Sequence, residues 1–426
     1  MQRSIFIVLL LYCFLYGILF REVGGIPYGL FVEGLIIITI IAVIIITPKF
    51  DWKIINNDLF FCVLIWLVVS ILEVINPAAS VLGWIAELRS IALYPFVMVW
   101  LGFLIFKTQK DLDLFLMIII GLSVLAALNG IKQLFFGLTK GEAAFLEANA
   151  STHLLWGRLR VFSFYTDAGQ FGASQAQVGL IALILAFGKM SGLKRILMLA
   201  CAGLCIYGML ISGTRGALFA LIAGGIVAII LSKNITTIVL GSLLAISFLG
   251  ILKFTHIGDQ NYQIYRLRTA LNPEDASLNV RLINQQNLSA FMETMPFGGG
   301  LGSLGYNGLL YNSGTYLSTV PPDSLFVKIW AMYGVVGLTI WFSIMMFILG
   351  KCCGITWSIQ DRELRIKLIA LTAGFAGILF CSYGNEVLNT MPTAIVVYLS
   401  WVFIYLGPKL EAQKKNIIRI KNPSLN

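Results

Sequence analysis

Arginine is the residue type whose placement first suggests chemistry in this chain. Arg158, Arg160, Arg215, Arg266, Arg268 and Arg281 all fall in or beside polar segments that separate apolar runs. A guanidinium is permanently charged, and its planar fork matches phosphate oxygens bidentately. Together these residues suit an anionic ligand. Each one alone is also compatible with solvating a loop or snorkelling to a membrane surface. Arg215 is the most sharply placed. It stands in Ser212-Gly213-Thr214-Arg215-Gly216, a link between two apolar runs too short to be a domain. Glycines on both sides let the backbone turn and a ligand approach closely. Asp323 follows Pro321-Pro322 at the mouth of another apolar run, where a carboxylate suits a general base or a helix N-cap. Lys328 lies one turn further on, on a neighbouring face, and reaches a phosphate or snorkels to the surface. Asn385 and Glu386 close a later apolar run and are expected to line the same cavity.

Weaker signals read as structure. Gly300-Leu301-Gly302-Ser303-Leu304-Gly305 fits a dinucleotide-binding pattern but lacks a strand before it and a helix after it, so a turn is expected. His153 and His256 have no partner spacing and are expected to be solvated loop residues. Glu33 and Glu73 sit in or near apolar runs, where a carboxylate either relays protons or pairs locally. Cys201 and Cys205 share a helical face without His or carboxylate neighbours, and the seven cysteines read as apolar fillers. No metal site and no cofactor are expected.

The elements that must position these residues are membrane helices. Of 426 residues, 58% are apolar and 12% charged, against about 25% charged in a soluble domain; the mean hydropathy is +0.89. The net charge of +10 reads as basic loops that fix topology, and nucleic acid is not an expected partner. Apolar runs occur near 4–20, 28–47, 59–76, 91–106, 114–136, 171–188, 196–212, 217–232, 235–252, 324–350, 368–384 and 390–407, which predicts an all-α polytopic protein of about twelve spanning helices. The first run is followed by Arg21-Glu22 rather than a small-residue cleavage pattern, so it is expected to be an uncleaved membrane helix. With the N-terminus in the cytoplasm, the alternate short loops and the tail from Lys409 to Lys421 collect most of the basic residues, so both termini are expected inside. Two outer loops are long, about 137–170 and 253–323, and the second contains a helical stretch from Ser277 to Met295 with Leu288, Phe291, Met292 and Met295 on one face. Asp275 is expected to cap that stretch. The arginines that break the basic-inside pattern all lie on the outer side.

A family resemblance follows from these residues. Ile211-Ser212-Gly213-Thr214-Arg215-Gly216-Ala217 resembles the Ser-Gly-(Ser/Thr)-Arg-Gly signature of the bacterial O-antigen ligase and polysaccharide polymerase superfamily. Asp323-Ser324, nine residues and Gly334-Val335-Val336-Gly337 have the spacing of the ligase motif, with Asp where the ligases carry His. Asn279-Val280-Arg281 followed by Pro296-Phe297-Gly298-Gly299-Gly300-Leu301-Gly302 is similar to the family's arginine, amphipathic helix and glycine-rich turn. Arg160 through Gly172 is a fourth and weaker match. The matches cover about 155–340, in order, and the first 150 residues add nothing to them.

The resemblance implies a membrane glycosyltransferase that moves a glycan from undecaprenyl diphosphate to an acceptor hydroxyl, outside the inner membrane, with neither nucleotide sugar nor metal. Its site would use Arg215 and Arg281 on the diphosphate with Arg160, Arg158, Arg266, Arg268 and Lys328 in support, and Asp323 as the base. The Asp-for-His difference leans toward a polymerase over a ligase. The resemblance also divides the chain into N-terminal helices (1–150), a ligase/polymerase-like core (151–350) with the outer loop 253–323, and C-terminal helices with a basic tail (351–426). Membrane lipid, the glycan donor, the acceptor and a chain-length regulator are the expected partners. Rival readings are a secondary transporter or flippase, which the missing repeat between halves disfavours, and a non-catalytic assembly partner.

Overall fold

The computed structural model describes residues 2–23, 28–46, 53, 55–257, 259–272, 276–321 and 324–421. In chain order the helices are α1 (Gln2–Val23), α2 (Tyr28–Ile46), α3 (Asp58–Leu72), α4 (Val81–Leu88), α5 (Tyr94–Ile105), α6 (Gln109–Phe135), α7 (Lys140–Ala148) and α8 (Ala150–His153). A two-stranded antiparallel hairpin follows, β1 (Leu154–Leu155) and β2 (Arg158–Leu159), and then α9 (Ala168–Ala186), α10 (Gly192–Ile211), α11 (Arg215–Leu231), α12 (Ile235–Phe254), α13 (Tyr262–Thr269), α14 (Ala276–Met292), α15 (Gly305–Tyr311), α16 (Leu325–Ser358), α17 (Arg362–Cys381) and α18 (Thr393–Lys421). The protein is an all-α polytopic membrane protein.

Among the described residues ten helices are long and apolar enough to cross a bilayer. Two of the expected twelve fall short. One is α11, whose 17 residues rise only about 26 Å at 1.5 Å each; the other is the apolar part of α12, Ile238–Phe254. The fourth span also differs from the sequence expectation. It begins at Val81 rather than near 91, because α4 runs into α5 through a π-helical turn at Arg89–Leu93. The polar residues Glu87, Arg89 and Ser90 hide that start from a hydropathy reading. They are tolerated because Arg89 pairs with Glu33 at 3.1 Å and Tyr94 donates to Glu33 at 2.6 Å, so Glu33 follows the local-pairing alternative.

Small residues set the closest helix contacts, as expected where lipid removes the hydrophobic drive between helices. A Cβ on Gly224 of α11 would lie 2.5 Å from the Ala373 carbonyl of α17, and one on Gly377 would strike the Ala220 carbonyl. Helix α9 is buried along almost its whole length against α10, α11 and α17. At the opposite end of the bundle, ion pairs such as Arg3–Asp111 (3.1 Å) and Lys367–Asp113 (2.7 Å) tie helix ends together.

The long segment 137–167, expected on the outer side, is folded and clamped. Arg21, at the end of α1, donates to the Tyr165 carbonyl at 2.6 Å and to that of Ser163, while its guanidinium stacks over Phe145 and Phe162. Glu142 opens α7 in a capping box with Thr139 and is fully buried, accepting from Lys132 (2.7 Å), Gln133 (2.8 Å) and the Thr139 N–H (2.9 Å). His153 departs from the solvated-loop expectation. It is buried between Phe145 and Phe162, and its Nε2 lies 3.4 Å from the Ala168 N–H. A short helix and a hairpin turn it inward, and neither carries a periodic signal in so few residues. His256 is exposed beside Asp259, as expected.

The glycine-rich turn explains a break in α16. Gly334 has φ +68° and ψ −172°, so the helix ladder is interrupted there. The freed groups are recaptured by the turn: the Gly299 N–H donates to the Ala331 carbonyl (2.9 Å), the Gly300 N–H to Met332 (2.9 Å), and the Val336 N–H to Pro296 (3.2 Å). A Cβ on Gly334 would strike the Pro296 carbonyl, and one on Gly298 would strike Gly334 and Met332. Two motifs far apart in sequence are thus halves of one contact, and Gly300-to-Gly305 is a turn as expected. The helical stretch in the outer loop forms α14, with Leu288 and Met292 buried and Phe291 against Tyr316 at 4.6 Å.

Gly334→Ala is expected to destabilise the protein by about 1–3 kcal/mol through the positive φ alone, and more from the clash. The check is thermal unfolding of the purified variant in detergent. A second expectation concerns pH. Burial by itself would raise the Glu142 carboxyl, but Lys132, the Thr139 N–H and Gln133 outweigh it and hold Glu142 below the usual carboxylate range. A depressed carboxylate contributes stability above its unfolded value of about 4.3 and loses it as pH falls through the folded value. Glu142→Gln is therefore expected to flatten the acid limb of the melting-temperature profile, while the native protein weakens below about pH 4.

Candidate functional site

The site begins at the hinge between α10 and α11. Ser212 caps α10, Gly213 takes φ +60°, and Thr214 starts α11. The Ser212 hydroxyl donates to the Met209 carbonyl (2.6 Å) and accepts from the Thr214 N–H (3.1 Å), while the Thr214 hydroxyl donates to the Ala168 carbonyl (2.9 Å). These bonds fix the start of α11 against the start of α9. Arg215 is the first residue of α11, and Gly216 behind it brings the backbone close to Asn385, whose Nδ2 would lie 3.0 Å from an added Cβ.

Arg160 buttresses this hinge from the outer segment. Its Nε donates to the Ser212 carbonyl (3.3 Å), Nη1 to the Thr152 carbonyl (2.9 Å), and Nη2 to the Thr214 hydroxyl (3.3 Å). Burial lowers the Arg160 pKa, Asp167 and Tyr262 push it up, and the charges of Arg215 and Arg281 push it down; the net shift is downward. Arg160 thus lies within electrostatic reach of both Arg215 and Arg281, whose charges oppose its own. An anion placed among them would relieve that repulsion.

Beside these arginines lies a cavity of about 400 Å³, lined by Thr166, Asp167 and Gln170 at the start of α9, Arg281 of α14, and Asn385, Glu386, Val387 and Thr390 between α17 and α18. Asp167 is the N-cap of α9 and accepts from the Gly169 N–H. Glu386 is bound through Oε1 to Lys328 of α16, and the same ammonium lies 2.8 Å from Glu87 of α4. Burial raises the Glu386 pKa, the Lys328 charge opposes that, and Glu87 and Asp167 reinforce it, so the carboxyl sits above its ordinary range.

The remaining expected site residues are distributed differently. Arg158 stacks on Tyr262 at 5.4 Å and Arg266 on Trp156 at 5.5 Å, forming an outer aromatic patch with Tyr265. Arg268 is engaged locally, by Asp259, the Leu252 carbonyl (2.8 Å) and the Ile257 carbonyl (3.1 Å), and is not brought to the cavity by these bonds. Lys328 neither snorkels nor offers its ammonium to an open surface: it is buried between two carboxylates. Asp323 and Asp275 lie outside the described residues. The N-cap of α16 is Ser324, which accepts from the Val327 N–H at 3.4 Å. Asp167 and Glu87 were not singled out from sequence. The first carries only an N-cap pattern before Ala168-Gly169, and the second only the oddity of an acid in an apolar run.

No curated protein matches this chain. Residues 200–342, about a third of the chain, match the family model described as O-antigen ligase. The matched segment runs from α10 into α16 and includes Arg215 and Arg281. Arg160, Asp167 and Glu386 lie outside it. Over this segment the chain is similar to the O-antigen ligase and polymerase superfamily, whose members are membrane enzymes of polysaccharide assembly.

Proposed function

We propose that this protein transfers or polymerises oligosaccharide repeat units carried on undecaprenyl diphosphate, at the outer face of the bacterial inner membrane, with both termini in the cytoplasm. The observation that carries the reading is Arg281 in the wall of a polar cavity whose Asn385 packs against Gly216 beside Arg215, with Arg160 hydrogen-bonded to the same hinge. When the bond from the anomeric carbon to the diphosphate breaks, negative charge develops on the leaving oxygen. Preorganised guanidiniums stabilise that charge without reorganising. Arg215 and Arg281 are assigned to the diphosphate, with Arg160 holding the hinge that presents Arg215. Arg158 and Arg266 contact the substrate further out, and Arg268 shapes the loop. A single displacement by the acceptor hydroxyl inverts the anomeric configuration, and the resemblance assigns the proton to Asp323.

The polymerase reading follows from Asp standing where ligases carry His. The ligase reading is favoured by the description of the matching family. They differ only in the acceptor, and the surface glycans of a deletion strain separate them. Loss of the long ladder with single repeats still attached identifies a polymerase. Long chains retained on the lipid carrier identify a ligase, and an unchanged profile refutes both.

Arg215→Ala and Arg281→Ala are each expected to lower transfer by about 10²–10³-fold, the loss typical of removing one charge-stabilising donor. The check is product formation by membranes with matched protein levels. Full activity in either variant at normal expression refutes the site.

A further inference from the structure

We propose that Glu386 is the catalytic residue that takes the acceptor hydroxyl proton, with Lys328 as its positioning residue and Glu87 as the counter-charge that keeps Lys328 in place. The inference rests on the glycosyl-transfer reading and moves the base from Asp323 to Glu386.

The argument starts from charge. Lys328 lies in the first turn of α16, buried, between the carboxylates of Glu87 and Glu386. One ammonium between two carboxylates leaves that group of three with an excess negative charge, which is costly near a bilayer. The two carboxylates are not equivalent. Glu87 is enclosed, its side chain 4% exposed; Oε1 meets Lys328, and Oε2 accepts from Asn307 at 2.7 Å. Glu386 is 25% exposed on its side chain and forms part of the cavity wall, with Lys328 on Oε1. The excess charge therefore faces the chamber that Arg281 also lines.

Asp167 shares that wall but is committed as the N-cap of α9. Glu386 is thus faced by Lys328 from α16, Glu87 from α4, Asp167 at the head of α9 and Arg281 from α14. Burial together with Asp167 and Glu87 lifts its proton affinity despite Lys328. A general base works best when its pKa lies near the working pH.

In the step, the acceptor oxygen forms its bond to the anomeric carbon. The bond to the diphosphate breaks, with its electron pair leaving on the phosphate oxygen held by Arg215 and Arg281. The hydroxyl proton passes to the Glu386 carboxylate and is then lost to water in the cavity. Removing Lys328 would leave Glu386 beside Asp167 and Glu87 without its bound ammonium and raise its pKa further.

The test uses the full-length protein in liposomes, with the host's own extracted undecaprenyl-diphosphate-linked glycans as probe, assayed across roughly pH 5 to 9. Glu386→Gln is expected to lose about 10²-fold or more in kcat with donor KM within about twofold and an unchanged melting temperature. Glu386→Asp retains partial activity. Lys328→Met moves the acid limb of the rate profile to higher pH, and Lys328→Arg restores it. Near-native kcat in Glu386→Gln, with Arg281→Ala inactive, overturns this inference and leaves the transfer reading standing. An unmoved acid limb in Lys328→Met overturns the positioning role. If Glu386→Gln does not fold, a Glu386→Asp profile identical to wild type overturns the base role. No product from the wild-type protein overturns the transfer reading and the inference with it.

Discussion

Everything at the functional end of this molecule depends on one constraint: a polar chamber set into an apolar bundle must find protein partners for each charge and each freed backbone group. The break in α16 illustrates the backbone half. Gly334 interrupts the ladder, and Pro296, Gly299 and Gly300 take up the released carbonyl and amide groups. The turn therefore anchors the long loop and α14 to the core with the same bonds that permit the break. Arg281 is carried on the helix this turn follows.

The charge half is handled by pairing across elements. Lys328 joins α16 to α4 and to the segment after α17 through Glu87 and Glu386. Arg21 joins α1 to the folded outer segment, and Arg160 joins that segment to the α10–α11 hinge. The N-terminal helices, outside the matched family segment, thus reach the cavity through Lys328, which links Glu87 of α4 to Glu386 in the cavity wall. The arginines near the hinge differ in kind, because the charges of Arg215 and Arg281 both oppose that of Arg160. That arrangement suits a polyanionic ligand.

Much was legible in the sequence, for a local reason. Spanning helices are read from runs of apolar residues, and both the membrane class and nearly every span follow from that periodicity-free signal. Arg215 was legible because its glycine-flanked hinge is contiguous, and α14 because its apolar face repeats at helical spacing. The start of the fourth span at Val81 was hidden by Glu87 and Arg89, whose partners lie on other helices. The burial of His153 is not legible in the sequence, because it depends on Phe145 and Phe162 folding over it.

By itself, then, the sequence determined an all-α membrane protein with an arginine at a tight hinge and a long polar loop. Those properties depend on neighbours in the chain. Only the tertiary structure decided that Asp167, Arg281 and Glu386 share a cavity, that Lys328 is sequestered by Glu87 and Glu386, and that Arg268 is engaged locally. The chamber residues come from the start of α9, from α14 and from the segment between α17 and α18, and the Glu87–Lys328 pair behind Glu386 adds α4 and α16. No local spacing relates them, and their proximity arises from helix packing alone.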